Sequence, residues 1–160
     1  MPADFTVIFS TRQHFGNNVT DIIDGLRENL GETQAPFVGR EKYYEFRCPN
    51  VESNENGIIV FQTLGVSWRH EITINDQIVY GGITRGATSI AFNLVTNTYN
   101  DSNLSDITSQ PIMVWNTHSL VVSKNVLRTN NLLKISSLPD SGGRIDDFII
   151  DNCIIHYKTN

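Results

Sequence analysis

The sequence predicts an all-β fold, a two-sheet antiparallel jelly-roll sandwich with one short helix near the N-terminus, and three observations lead there. From Gly65 to Ile74 the chain alternates: Val66, Trp68, His70, Ile72 and Ile74 share one face of an extended strand, while Ser67, Arg69, Glu71, Thr73 and Asn75 share the other. Asn75-Asp76, a pair tolerant of positive φ, then turns the chain into a second strand, Gln77 to Tyr80. Near the C-terminus Phe148 and Ile150 alternate before Asp151-Asn152, and Cys153, Ile155 and Tyr157 alternate after it. The apolar face changes parity there, which one inserted residue in a β-bulge accomplishes.

The remaining elements follow from local pattern. Phe5 to Ser10 reads as a strand with Phe5, Val7 and Phe9 on one face. Val19, Ile22, Ile23, Leu26 and Leu30 recur at helical spacing, with Asn18 or Thr20 as cap and Gly31 placed to end the segment. Tyr43 to Cys48 is a strand with Tyr44, Phe46 and Cys48 inward, and Ile58 to Leu64 is apolar almost throughout, as a strand covered on both sides is. Gly81-Gly82 and Gly86 punctuate a connection to a strand over Thr88 to Val95, and Asn97 to Gln110 has no periodic pattern. Pro111 to Trp115 and Ser119 to Val122 are short strands interrupted by Asn116-Thr117-His118, and Val126 to Ser137 forms a hairpin-like unit. About eight strands at this spacing, without repeat or linker, form one sandwich domain over residues 1–160.

Composition excludes several functions. A chain of 160 residues buries roughly 70% of its unfolded surface in one core without metals or disulfides. The net charge of −5 and the scatter of basic residues argue against nucleic acid, which needs a clustered positive field. No apolar run reaches the ~20 residues of a membrane span, so no membrane insertion is expected. Met1 to Ser10 lacks the features of a signal peptide, which predicts a cytoplasmic protein or one exported by a signal-independent route. Cys48 and Cys153 sit in strand-like runs and are expected as buried free thiols.

Three separated pieces resemble the galactose-binding-domain-like β-sandwich family, which includes carbohydrate-binding modules of jelly-roll form. They are Ile72-Thr73-Ile74-Asn75-Asp76-Gln77-Ile78-Val79, the stretch Val126 to Ile135, and Asp146-Asp147-Phe148-Ile149-Ile150-Asp151-Asn152. The resemblance covers residues 58–157. Asp76 replaces the family's turn Gly, and Thr129 stands where a second Gly would be, with Asn130 able to take the left-handed position instead. It implies a lectin-like function and a structural calcium near a sandwich edge. Asp140 and Asp146 are the candidate ligands for that ion; solvated turn carboxylates are the alternative.

The chain carries no nucleophile elbow, no His-Glu-x-x-His pair and no Cys-x-x-Cys unit, so no enzyme activity is expected, although distant residues can still assemble a site. Carbohydrate binding asks for an aromatic platform surrounded by groups with two-ended hydrogen bonding. Trp115, Asn116 and His118 have that chemistry, with Arg85, Tyr99 and Asn100 on loops that share the rim. The alternative is that Trp115 caps the core and Asn116 makes a turn. Trp68 and His70 belong to the core face, which leaves Arg69 and Glu71 for a ligand on the strand face. The sequence therefore points to a non-catalytic binding module for a glycan or protein partner, needing no cofactor beyond that calcium. The alternative is a structural or assembly subunit, a homo-oligomer that uses the sandwich for protein–protein contacts.

Overall fold

The structure, a computed structural model, describes residues 2–17, 35–64, 70–80, 91–93, 98–100, 116–139, 141–143, 145 and 147–160; of 78, 80, 91–93, 98–100 and 116 it describes the backbone alone. These residues form twelve strands and no helix. The helix expected over 19–30 falls outside them. The strands are β1 (Ala3–Phe9), β2 (Gln13–Phe15), β3 (Phe37–Gly39), β4 (Glu41–Arg47), β5 (Gly57–Leu64) and β6 (His70–Ile74). Then come β7 (Gln77–Tyr80), β8 (Ala91–Asn93), β9 (Thr98–Asn100), β10 (Asn116–Val122), β11 (Asn130–Ser137) and β12 (Phe148–Lys158).

A six-stranded sheet runs in the order β10-β5-β12-β2-β3, with β1 pairing the C-terminal half of β12. A four-stranded sheet runs β4-β11-β6-β7, and β8 pairs with β9 separately. All pairings are antiparallel except β2 with β3, so the larger sheet is mixed, against the purely antiparallel expectation. The two main sheets face each other across one core. Ile59, Phe61, Phe148, Ile150 and Ile155 enter it from the larger sheet, and Phe46, Ile72, Ile74, Leu133 and Ile135 from the smaller. Gln13 adds a polar tie across the gap, its Oε1 accepting from Lys42 Nζ at 2.9 Å and from the Tyr44 hydroxyl at 3.0 Å.

Two local devices read from the sequence are present. Asn75 and Asp76 both have positive φ, 51° and 64°, which joins β6 to β7 in a tight hairpin whose twist matches the strands. On β12 the register against β5 slips by one residue between Asp151 and Ile154, with Asn152 at φ 50°. Phe148 and Ile150 before the bulge and Cys153, Ile155 and Tyr157 after it all reach the same core. Without the inserted residue one of these groups would face solvent.

Other expectations need correction. Phe5 and Val7 are exposed, because they lie on the outer face of the larger sheet beside His156 and Ile154 of β12, and only Phe9, past the register shift after Val7, turns into the core. Ile58 is exposed, so the start of β5 is covered on one face only; apolar composition cannot distinguish a two-sided core strand from one with an apolar outer face. Asn116 to His118 do not interrupt a strand. They open β10, opposite Thr63, Gln62 and Phe61 of β5. β9 lies inside the stretch that lacks periodicity, its three residues too few to make a pattern. Val126 to Ser137 yields one strand, β11, between β4 and β6, and the left-handed residue in the preceding loop is Asn125, not Asn130. Both cysteines are buried and free.

Candidate functional site

The outer face of the four-stranded sheet presents hydrogen-bonding groups around an aromatic ring. On β4, Tyr44 and Phe46 point inward, so Tyr43, Glu45 and Arg47 point outward and are exposed. The register with β11 sets Lys134 opposite Tyr43, Leu132 opposite Glu45 and Asn130 opposite Arg47. Beyond β11, Glu71 of β6 lies opposite Ser136, which itself faces Glu41.

Lys134 Nζ is 3.3 Å from Glu41 and 5.6 Å from the centre of the Tyr43 ring. Partial burial would lower its pKa, but the hydrogen bond and charge of Glu41, together with Tyr43, outweigh this and hold it above the ordinary lysine value. The ammonium therefore stays charged and lies over the ring, while 51% of Tyr43 remains exposed.

At the end of this face, Glu45, Arg47, Asn75, Asn130, Asn131 and Leu132 line an open cleft of about 600 Å³. Its floor is fixed by hydrogen bonds of two side-chain amides. Asn75 donates from Nδ2 to the Val126 carbonyl and to Asn131 Oδ1, both at 2.8 Å, and its Oδ1 accepts from Leu132 N at 3.0 Å. Asn131 Oδ1 also accepts from Arg128 N at 2.8 Å, and its Nδ2 donates to the Arg128 carbonyl. The hairpin turn, the loop before β11 and β11 itself are thereby locked together. Groups held on such a floor need little ordering when a ligand arrives.

Of the residues singled out from the sequence, those described lie on three different strands. Glu71 does lie on the outer face of the smaller sheet. His118 is corrected: its ring is fully buried, its Nε2 2.7 Å from Thr63 Oγ1, with the Phe61 ring at 5.2 Å, so it does not border a surface ligand. Asn116 begins β10, and Tyr99 and Asn100 lie on β9 opposite Phe92 and Ala91. Trp115, Arg85, Arg69, Asp140 and Asp146 fall outside the described residues. Among the described residues no three acidic, histidine or cysteine side chains gather as a metal site. Asp147 accepts instead from Asn17 N and lies 3.0 Å from His14 Nε2, and Asp151 lies 3.6 Å from Arg12.

Tyr43, Glu45 and Arg47 are the residues that sequence reasoning missed. The signal was available: placing Tyr44, Phe46 and Cys48 inward leaves an aromatic, an acid and a base alternating on the opposite face.

No protein-family model matches this chain, and no curated protein does. Among solved structures, it is similar to the ANXUR1 extracellular domain of Arabidopsis thaliana, at 9% identity and TM-score 0.42, over 75% of this chain and 28% of that one. It is similar to BuGH86 in complex with neoagarooctaose, at 18% identity and TM-score 0.37, over 74% of this chain and 16% of that one. A cleaved adhesin domain of Lys-gingipain from Porphyromonas gingivalis aligns over 100% of this chain and 93% of its own, at 9% identity and TM-score 0.36. The chain thus spans under a third of the length of the first two, and at these scores none of the three assigns it a family.

Proposed function

We propose that this chain is a non-catalytic carbohydrate-binding module of jelly-roll type, with its ligand on the outer face of the four-stranded sheet. The observation that carries the reading is the ladder of Tyr43, Glu45 and Arg47 beside Lys134, Leu132 and Asn130. An exposed aromatic ring suits the apolar face of a sugar, and the carboxylate, guanidinium and amide beside it offer acceptors and donors to ring hydroxyls. Tyr43 to Arg47 spans ~14 Å of extended strand, enough for a short oligosaccharide. Glu71 extends the same face. The reading needs no cofactor.

A glycan array probed with and without calcium tests it. Binding is expected in both conditions, and Tyr43→Ala and Glu45→Gln should each weaken it by about tenfold or more without changing the melting temperature, since both side chains are exposed. Should Trp115→Ala abolish binding while Tyr43→Ala leaves it intact, the ligand is held by Trp115 and the sheet-face site is wrong. Absence of binding to any glycan at millimolar concentration would sink the carbohydrate reading.

A further inference from the structure

The opposite side of the molecule has a different character. Register across the larger sheet places Phe5, His156, Ile58 and Val121 in one row over β1, β12, β5 and β10. Val7, Ile154, Val60 and Ser119 form the next row. Their neighbours along the strands, Ile155, Ile59 and Leu120, are buried, so both rows face outward. Phe5 is 58% exposed, Val7 47%, Ile58 43% and Val121 60%. These four are the majority of the large exposed apolar residues among those described, so the apolar surface is clustered rather than scattered. Phe5 and His156 lie with ring centres 6.0 Å apart.

Among the described residues, one lysine and otherwise uncharged side chains bound the two rows. Gln62 and Thr117 lie beyond the second, and Ala3 and Lys158 beyond the first. Among the described residues the acid on this face, Asp151, sits at its far end, opposite Gln62 and 3.6 Å from Arg12. An apolar centre depleted of charge, with a polar rim, is the anatomy of a protein interface.

We infer that this face joins two copies of the chain in an isologous dimer. Charge does not oppose a second copy at this face. Each chain carries a net charge of −5, so two copies repel over most of their surfaces. Here they meet without opposing carboxylates at the centre, and the face offers no charge cluster for an unlike partner to read. Area agrees: four strands ~4.8 Å apart and four rows ~6.7 Å apart cover a footprint on the order of 500 Å² per copy. Two such footprints bury about 1,000 Å², the lower bound for a specific interface. A two-fold axis running along the strands between β12 and β5 sets Phe5 over Val121 of the second copy and His156 over its Ile58, with strands aligned as in sheet-on-sheet packing. The faces carrying Tyr43 then point away from each other, so the dimer is bivalent whatever those faces bind.

Sedimentation equilibrium of the full chain, from low micromolar to sub-millimolar concentration, tests this. The wild type is expected to reach a mass of twice 18.0 kDa and no higher. Val121→Lys should raise the dissociation constant at least about tenfold, because an ammonium in an apolar contact loses its hydration. Its far-UV circular dichroism and its melting temperature when dilute should match the wild type. Phe5→Cys combined with Val121→Cys should be joined into a covalent dimer by a bis-maleimide about 10 Å long, since facing sheets pack ~10 Å apart and the two positions lie three strands apart within one copy. A wild type that stays monomeric, or that aggregates without limit, overturns the proposal. So does a folded Val121→Lys that dimerises as tightly as the wild type. A dimer that the double cysteine variant fails to link overturns the alignment about the two-fold axis.

Discussion

His70 on β6 and His118 on β10 enter the core from different sheets, and both are enclosed there. Burial lowers the His70 pKa to about 3, with the charge of His118 adding to the effect, and burial lowers His118 to about 4. In the unfolded chain both titrate near 6.5. Above pH 6.5 neither state is protonated, and the folded protein loses nothing. Below it, the unfolded chain takes up protons that the folded core refuses, so stability falls with pH until the folded values of about 4 and about 3 are reached. Each histidine contributes a slope of roughly 1.4 kcal/mol per pH unit within its window. In His118→Gln, which keeps a polar group near Thr63, the urea-derived stability should fall by about 1 kcal/mol less per unit between pH 6 and 5 than in the wild type. An unchanged slope would mean that His118 is not held neutral by the core. His118 also marks a boundary of legibility. Beside Trp115 and Asn116 it has the composition of a sugar site, but alternation along β10 turns it inward with Leu120 and Val122.

At the scale of elements, β12 is the strand on which the larger sheet depends. It pairs with β5 along one side and with β2 and β1 in succession along the other. Its bulge keeps Phe148 and Ile150 on the same face as Cys153, Ile155 and Tyr157. Deleting Asn152 should therefore unfold the protein or leave it insoluble, because restoring regular alternation sends one of the two apolar groups to the surface. Asn152→Gly should be nearly neutral, since glycine adopts φ 50° without steric cost, whereas Asn152→Val should cost about 1–2 kcal/mol. Chemical denaturation of the three variants separates these outcomes; a deletion variant as stable as the wild type would refute the role given to the bulge. The bulge was legible because a parity change leaves a mark in the sequence. The single strand β11 was not, because its apolar residues alternate as they would in one arm of a hairpin, and its neighbours β4 and β6 lie far away in the chain.

For the whole molecule, the core is closed tightly enough to silence both thiols. Burial, with a contribution from the charge of Asp4, pushes Cys48 up to about 12, and burial raises Cys153 as well. Neither forms a thiolate at neutral pH, so reaction with a disulfide reagent should proceed only as fast as the protein opens and should report two thiols in denaturant. Fast labelling of the native protein would show that the thiols are accessible without opening of the core. The two outer faces divide the surface by chemistry. One presents Tyr43 among charged and amide groups, and the other presents Phe5, Ile58 and Val121 with little charge.

By itself the sequence determined what depends on neighbours along the chain. The alternation of β6, the left-handed turn at Asn75-Asp76, the bulge at Asn152 and the inward set Tyr44, Phe46 and Cys48 all rest on backbone geometry acting over a few residues. Tertiary structure decided which outward side chains meet. Tyr43, Lys134 and Glu71 come from β4, β11 and β6, and Phe5, Ile58 and Val121 from β1, β5 and β10, with separations along the chain that no period encodes. Register between distant strands is set by the packing of their buried faces, so the grouping of exposed residues is a consequence of the core. A surface site made in this way becomes visible only once the sheets are assembled.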